Sequence, residues 1–203
     1  MVDDEDFDSW YGPWARLDPE AVAGLLADLD VDWWVSGGWA VERFTAVPRE
    51  HHDMDVGVFA DDLAEVLACL GGTHQVWAGG GGALRPLTDP ADLPDWADRL
   101  WVRERADAPW QLDMGLTRRW QDQWVYRHDP TVTMPLAEAT WTSKGIRYLR
   151  PEIVLLSKAR RPDAPRGKAD LAAIVPWLDA RARQWLADRL GSLDPQHPWL
   201  ARL

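Results

Sequence analysis

The stretch Val31-Asp32-Trp33-Trp34-Val35-Ser36-Gly37-Gly38-Trp39-Ala40-Val41-Glu42-Arg43-Phe44, continued through Arg49-Glu50-His51-His52-Asp53-Met54-Asp55-Val56-Gly57-Val58, decides how this chain is read. It predicts a strand over 33–35, a Gly-Gly turn, a short helix over 39–44, a loop, and a second strand over 52–59. Asp53 and Asp55 stand two residues apart on that second strand. Period-two alternation puts both side chains on one face, about 6.5–7 Å apart at the backbone. Two carboxylates at that spacing can share a pair of divalent ions. The Gly37-Gly38 turn ahead of a helix offers unblocked backbone N–H groups to a phosphate. Metal plus phosphate is the chemistry this stretch predicts.

The bulk properties narrow the field. With 203 residues and 46% hydrophobic content, the chain has room for one generous domain, with or without a small appendix. No apolar run reaches membrane-spanning length, and the N-terminus is acidic, which argues against a signal peptide. The single cysteine, Cys69, excludes an internal disulfide and a cysteine-based zinc site, and a reducing cytoplasm is the expected location. The formal net charge is −11, and Asp3, Asp4, Glu5, Asp6 and Asp8 crowd the start, so residues 1–12 are expected to form a loose acidic head. No basic run is present to displace counterions from nucleic-acid phosphates. An acidic body favours a cationic small molecule instead. Of the 15 tryptophans, Trp33, Trp39, Trp177 and Trp185 are expected in the core, and Trp110 is expected to line a cleft.

Along the rest of the chain, Asp18-Pro19-Glu20 is a helix start, with Val22, Leu25, Leu26 and Leu29 as its apolar stripe. A helix over 61–70 and a strand over 74–78 follow. The glycine run 79–82 reads as a turn, because no lysine or serine follows it as a phosphate-binding loop requires. Residues 84–96, broken by Pro86, Pro90 and Pro94, read as a loop with one turn of helix. Strands over 100–105 and 110–117 pair next. The second of these carries Asp113 within Gln111-Leu112-Asp113-Met114-Gly115. Leu112 and Met114 point to the opposite face, so Asp113 shares a small, polar face with Gln111 and Gly115. Residues 138–150 read as extended. Helices are predicted over 153–159, 169–178 and 180–190, with a loop over 161–168. The coarse class is α/β to about residue 148 and helical beyond it, which divides the chain into 1–148 and 149–203.

These pieces resemble the nucleotidyltransferase superfamily with the DNA polymerase β-like fold. The resemblance rests on Val35-Ser36-Gly37-Gly38, Asp53-Met54-Asp55 and Asp113. The aminoglycoside 2''-adenylyltransferase and lincosamide nucleotidyltransferase branch is similar through Gly37-Gly38-Trp39-Ala40-Val41-Glu42 and Arg49-Glu50-His51-His52-Asp53-Met54-Asp55. Its helical end is similar to Pro151-Glu152-Ile153-Val154-Leu155-Leu156-Ser157-Lys158-Ala159 and Arg166-Gly167-Lys168-Ala169-Asp170. The likeness spans most of 31–190, and the glycine run and acidic head have no counterpart in it. It implies an α+β fold: a nucleotidyltransferase core, a mixed sheet with flanking helices, plus a C-terminal helical segment.

The resemblance also implies a reaction in which Asp53 and Asp55 hold Mg²⁺, two ions in all. Asp113 completes the second metal position or acts as general base. Ser36, Gly37 and Gly38 meet the phosphates of ATP through backbone N–H groups, with Arg49 and Lys158 as further phosphate contacts. His51 is read as holding the loop rather than as a metal neighbour, and Glu42 faces either the site or solvent. The implied function is transfer of AMP from ATP onto a hydroxyl of a small, cationic, antibiotic-like acceptor. Two other readings stand beside it: a toxin-like enzyme modifying tRNA or protein, and a non-catalytic relative that binds a nucleotide.

Overall fold

The computed structural model describes residues 11–203. Helix α1 (Pro19–Leu25) starts as its sequence dictates: the Asp18 carboxylate accepts a hydrogen bond from Ala21 N–H, and proline takes the first helical position. Strand β1 (Trp33–Val35) leads into α2 (Gly37–Thr45), and a loop returns the chain as β2 (Asp55–Phe59). Helix α3 (Leu63–Leu70) then feeds β3 (Gln75–Gly80), β4 (Ala83–Pro86), β5 (Arg99–Arg103) and β6 (Leu112–Thr117). Three short strands follow, β7 (Arg119–Trp120), β8 (Gln123–Val125) and β9 (Thr133–Pro135). The short helix α4 (Leu136–Ala139) precedes the hairpin β10 (Thr140–Ser143) and β11 (Ile146–Leu149). Helices α5 (Pro151–Lys158), α6 (Pro165–Ile174) and α7 (Ala180–Leu193) complete the chain. The class is α+β, as the resemblance implied.

The main sheet is eight-stranded and mixed, in the order β10-β11-β1-β2-β6-β5-β3-β4. β2 and β6 run parallel at its centre, with Val56 and Val58 opposite Met114 and Leu116, and Asp55, Gly57 and Phe59 opposite Asp113, Gly115 and Thr117. Alternation therefore sends the aliphatic pairs to one face and the acids and glycines to the other. The aliphatic side joins a buried cluster that runs from Val22 through Leu63, Val66 and Ile153 to Trp199. On the acid side Trp34 lies opposite Gly57 and covers it: a Cβ at Gly57 would come within 2.1 Å of the indole nitrogen.

The three-stranded sheet β7-β8-β9 had no counterpart in the sequence reading. Arg119 pins its start, pairing with Asp62 at 2.7 Å while its guanidinium sits 4.2 Å above the Phe59 ring. That clamp brings residues 124–128 over the acid face of the main sheet.

Several expectations shift. Of the glycine run 79–82, expected as a turn throughout, Gly79 and Gly80 end strand β3 and only Gly81-Gly82 form the tight turn of the β3–β4 hairpin, closing on the pair Gly80 and Ala83. Residues 84–86, expected as loop, belong to strand β4, because they complete that hairpin. The loop expected over 161–168 ends early: Pro165, at a first helical position, opens α6 four residues sooner than predicted. Most of the head 1–12 lies outside the described residues. Tyr11 is docked, its hydroxyl donating to the Gly82 carbonyl at 3.0 Å and its carbonyl accepting from the Trp110 indole at 2.5 Å. Trp110 is accordingly no cleft residue. It is buried among Trp14, Trp77 and Trp101, with the Arg103 guanidinium 4.3 Å from its ring. Trp177, expected in the core, is 64% exposed, on a single 3₁₀ turn whose Val175 faces inward instead.

The Trp34–Gly57 contact leaves no room for a side chain. Gly57→Ala should destabilise the protein by about 1–3 kcal/mol through overpacking. Gly72→Ala, with open space around the added methyl, should shift the urea midpoint hardly at all. Equal midpoints for the two variants would refute the contact.

Candidate active site

The site grows from the register of β2 and β6. Asp55 and Asp113 are direct neighbours on parallel strands, on the face that Gly57 and Gly115 keep clear. Asp53 is placed differently from expectation. The strand begins at Asp55, so Asp53 sits in the preceding loop, exposed, with Met54 buried between the two acids. The loop backbone is tied to the sheet by Asp113 N–H donating to the Met54 carbonyl at 2.9 Å. Asp53 still reaches the cluster electrostatically, since its charge disfavours ionisation of both Asp55 and Asp113.

Burial and the charges of Asp53 and Asp113 push the Asp55 carboxyl up to about 8, against opposing pulls from Lys158 and Arg99. Asp113 is also raised, chiefly by burial. Arg99 restrains that rise, its guanidinium donating to Asp113 Oδ2 at 2.7 Å, and so does a hydrogen bond from Trp101. Among the described residues no three His, Cys, Asp or Glu side chains form a ready-made metal cage. The donor set nevertheless suits magnesium: hard carboxylate oxygens short of positive charge, at a site where phosphate would supply the remaining ligands.

The helix end beside the acids is equally tight. Gly37 opens α2 at φ +55, and a Cβ there would fall 1.7 Å from Asp55 Oδ2. Only glycine allows the carboxylate to seat against the helix N-terminus. Ser36 is the N-cap, with no side-chain capping bond, and its backbone N–H donates to the Asp55 carbonyl at 2.9 Å.

Arg49 lies over Gly38 and pairs with Asp170 at 2.5 Å, and Lys158 pairs with the other oxygen of Asp170 at 2.9 Å. The two expected phosphate contacts thus converge on one buried carboxylate from α6. Asp170 belonged to the sequence motif, but its partners come from 12 and 121 residues away, where spacing carries no signal. Glu42 turns out to face the loop. It accepts from Arg49 N–H at 2.9 Å and lies 2.8 Å from His51 Nε2, and these bonds outweigh burial to hold its carboxyl below the usual range. His51 also stacks on Trp39, ring centres 3.6 Å apart, so its contacts are those of a loop fastener.

A cavity of about 210 Å³ opens over the acids, between the main sheet and the small one. Asp55, Asp113, Ser36 and Arg99 line one side, and Trp124, Tyr126, Arg127 and His128 the other. Arg99 and the residues of the small sheet escaped the sequence reading, because nothing in their local pattern distinguishes them from ordinary strand and turn positions.

Residues 20–77 match the family described as aminoglycoside-2''-adenylyltransferase. The chain also superposes on the solution structure of the antibiotic-resistance factor ANT(2'')-Ia, with a TM-score of 0.57 and 14% identity, covering 88% of this chain and 94% of that one. The chain has the nucleotidyltransferase fold. The crystal structure of ANT(2'')-Ia with adenylyl-2''-tobramycin agrees, with a TM-score of 0.57 and 13% identity over 86% and 95% of the two chains. Lincomycin-bound lincosamide adenylyltransferase LnuA gives 0.54 and 16% over 80% and 97%. No curated protein sequence matches significantly. The branch read from the motifs is thus the one whose family model matches residues 20–77 and whose solved structures share this fold. The matched segment holds Ser36, Gly37, Gly38, Arg49, Asp53 and Asp55. Asp113 and Lys158 lie beyond it and join the site through the tertiary structure.

Because the folded pKa of Asp55 lies above its ordinary 3.8, the unfolded chain releases this proton first as pH rises. Stability from this group is therefore present at low pH and is lost between about pH 4 and pH 8. Metal-free protein should melt lower at pH 8 than at pH 5.5. Asp55→Asn should flatten that slope and gain on the order of 2 kcal/mol at pH 8. Millimolar Mg²⁺ should raise the melting temperature of the wild type at pH 8 and leave the variant unmoved. A melting temperature of wild type indifferent to both pH and Mg²⁺ would contradict this electrostatic picture.

Proposed function

We propose that this chain is a magnesium-dependent adenylyltransferase that moves AMP from ATP onto a hydroxyl of a small, cationic acceptor of the aminoglycoside kind. The observation that carries the reading is the side-by-side placement of Asp55 and Asp113, with Asp55 seated against the N-terminus of α2. The adenylyl-2''-tobramycin and lincomycin bound in the similar structures suggest the acceptor class, and the net charge of −11 suits a polycation.

Asp53 and Asp55, with Asp113, would hold two Mg²⁺ ions, whose charge would neutralise the triphosphate and acidify the acceptor hydroxyl. The chain's own groups do the rest. Backbone N–H groups of Gly37 and Gly38 would receive phosphate oxygens at the helix N-terminus. The Ser36 N–H, expected to do the same, is committed to the Asp55 carbonyl and leaves Ser36 to act as the N-cap beside them. Lys158, held by Asp170, supplies a fixed positive charge beside Asp55, and Arg49 does so above Gly38. The acceptor oxygen attacks the α-phosphorus in line, the bond to the β-phosphate oxygen breaks, and pyrophosphate leaves. The hydroxyl proton passes to a carboxylate, with Asp113 as the candidate base. The division into a core over 1–148 and a helical segment over 149–203 belongs to the same proposal, since Lys158 and Asp170 would then come from the second part. No helix among the described residues is long and apolar enough to cross a membrane. A reducing cytoplasm, which the lone Cys69 suits, is the proposed setting.

The test is incubation with ATP, Mg²⁺ and a panel of aminoglycosides and lincosamides, following pyrophosphate release and the mass gain of one adenylyl group on the acceptor. Asp53→Asn and Asp55→Asn should each lower turnover by about 10³-fold or more, while circular dichroism stays unchanged. Full activity in either variant would remove that acid from the metal site.

A further inference from the structure

The wall of the cavity that faces the acids is basic, and it comes from the small sheet and the end of α5. Arg127 and His128 line the cavity just after β8. Arg160, two residues beyond the last residue of α5, sends its Nη1 to within 2.9 and 3.0 Å of the two ring nitrogens of His128. Among the described residues Arg160 makes no ion pair, so its guanidinium is balanced only by an imidazole. Arg127 and Arg99 share Asp98, at 3.2 and 3.0 Å, and Arg99 divides itself further with Asp113. Three guanidinium groups thus surround one histidine with a single carboxylate, Asp98, between them on that side.

We propose that Arg127, His128 and Arg160 are binding residues for the β- and γ-phosphates of the nucleotide and for the pyrophosphate that leaves, and that this binding takes up a proton at His128. The proposal rests on the nucleotidyl-transfer reading above and extends it to residues that no motif marks.

The chemistry follows from what His128 faces. Burial, followed by the charges of Arg127 and Arg160, pulls its pKa down to about 4, with Asp98 opposing and Arg99 adding to the fall. On its other side the Tyr126 ring meets it edge-on at 5.4 Å, and Asp55 and Asp113 line the far wall of the same cavity. The imidazole is therefore neutral near pH 7 and accepts from Arg160. A polyanion entering between the guanidinium groups would cancel the repulsion that keeps the proton away. His128 could then donate to a phosphate oxygen while Arg127 and Arg160 make charge-assisted bonds beside it. The overall acidity of the chain makes such a local basic wall selective for an anion brought to this cavity and not to the surface at large.

Titration calorimetry with magnesium pyrophosphate tests the idea on the whole chain. Arg160→Gln and Arg127→Gln should each weaken binding by about 10-fold, the loss of one charge-assisted contact. For the wild type, affinity should strengthen as pH falls from 8 to 6 by more than it does for His128→Asn. The His128 ring resonances in NMR should titrate well below the ordinary histidine range, at about pH 4, without ligand and at a clearly higher pH with pyrophosphate bound, a shift that a merely structural histidine would not make. Undiminished affinity in both arginine variants, or a His128 titration unmoved by saturating pyrophosphate, would overturn the proposal. So would a wild type that does not bind pyrophosphate at all. Pyrophosphate binding that depends on these residues without adenylylation of any acceptor would uphold this inference and count against the transfer reading alone.

Discussion

Two carboxylates on adjacent parallel strands repel each other, and most of what surrounds Asp55 and Asp113 answers that repulsion. The β2–β6 register puts them opposite one another on a face kept low by Gly57 and Gly115. Arg99 binds Asp113 from the next strand, and Lys158 lends positive charge to Asp55 from the helical end of the chain. The compensation is incomplete, and Asp55 keeps its proton to about pH 8. Acids held together at this cost would be relieved by a divalent ion, which turns the repulsion into ligation, and this is the physical basis of the proposed metal site.

The same arrangement separates charges across a short distance. Acids occupy the main sheet, Asp170 anchors Arg49 and Lys158 at one margin, and Arg127, Arg160 and His128 crowd the other. The small sheet makes this possible by standing over the acid face, clamped by Arg119 between Asp62 and Phe59. In a chain with a net charge of −11, cations gathered around one cavity are a local feature and not a reflection of composition. Asp170 has a related part: it fixes two long, flexible cations in place, so less side-chain entropy is lost when an anion arrives.

Much of this was legible in advance. The strand over 33–35, the helix start at Asp18-Pro19 and the paired strands around Asp113 followed from capping residues and period-two alternation. Gly37 carried a signal of its own, since a glycine between a strand and a helix marks a backbone that a side chain would obstruct. The sequence misjudged Trp110, because an indole beside an acid in sequence can turn to the opposite neighbour. Here it is satisfied by the Tyr11 carbonyl. It also extended the second strand back to His52, through Asp53, where alternation continues but pairing does not: hydrogen bonds, not patterning, end a strand.

By itself the sequence determined the local facts: which residues cap, turn, alternate and carry charge, and that Asp53, Asp55 and the Gly-Gly turn belong to one short unit. Those follow from backbone sterics and period, which act over a few residues. Only the tertiary structure decided that Asp113 lies beside Asp55, that Asp170 gathers Arg49 and Lys158, and that a small sheet carries Arg127 and His128 over the acids. Register between distant strands is set by packing summed over the whole core. Ion pairs between residues far apart in sequence exist only once that packing has brought them together.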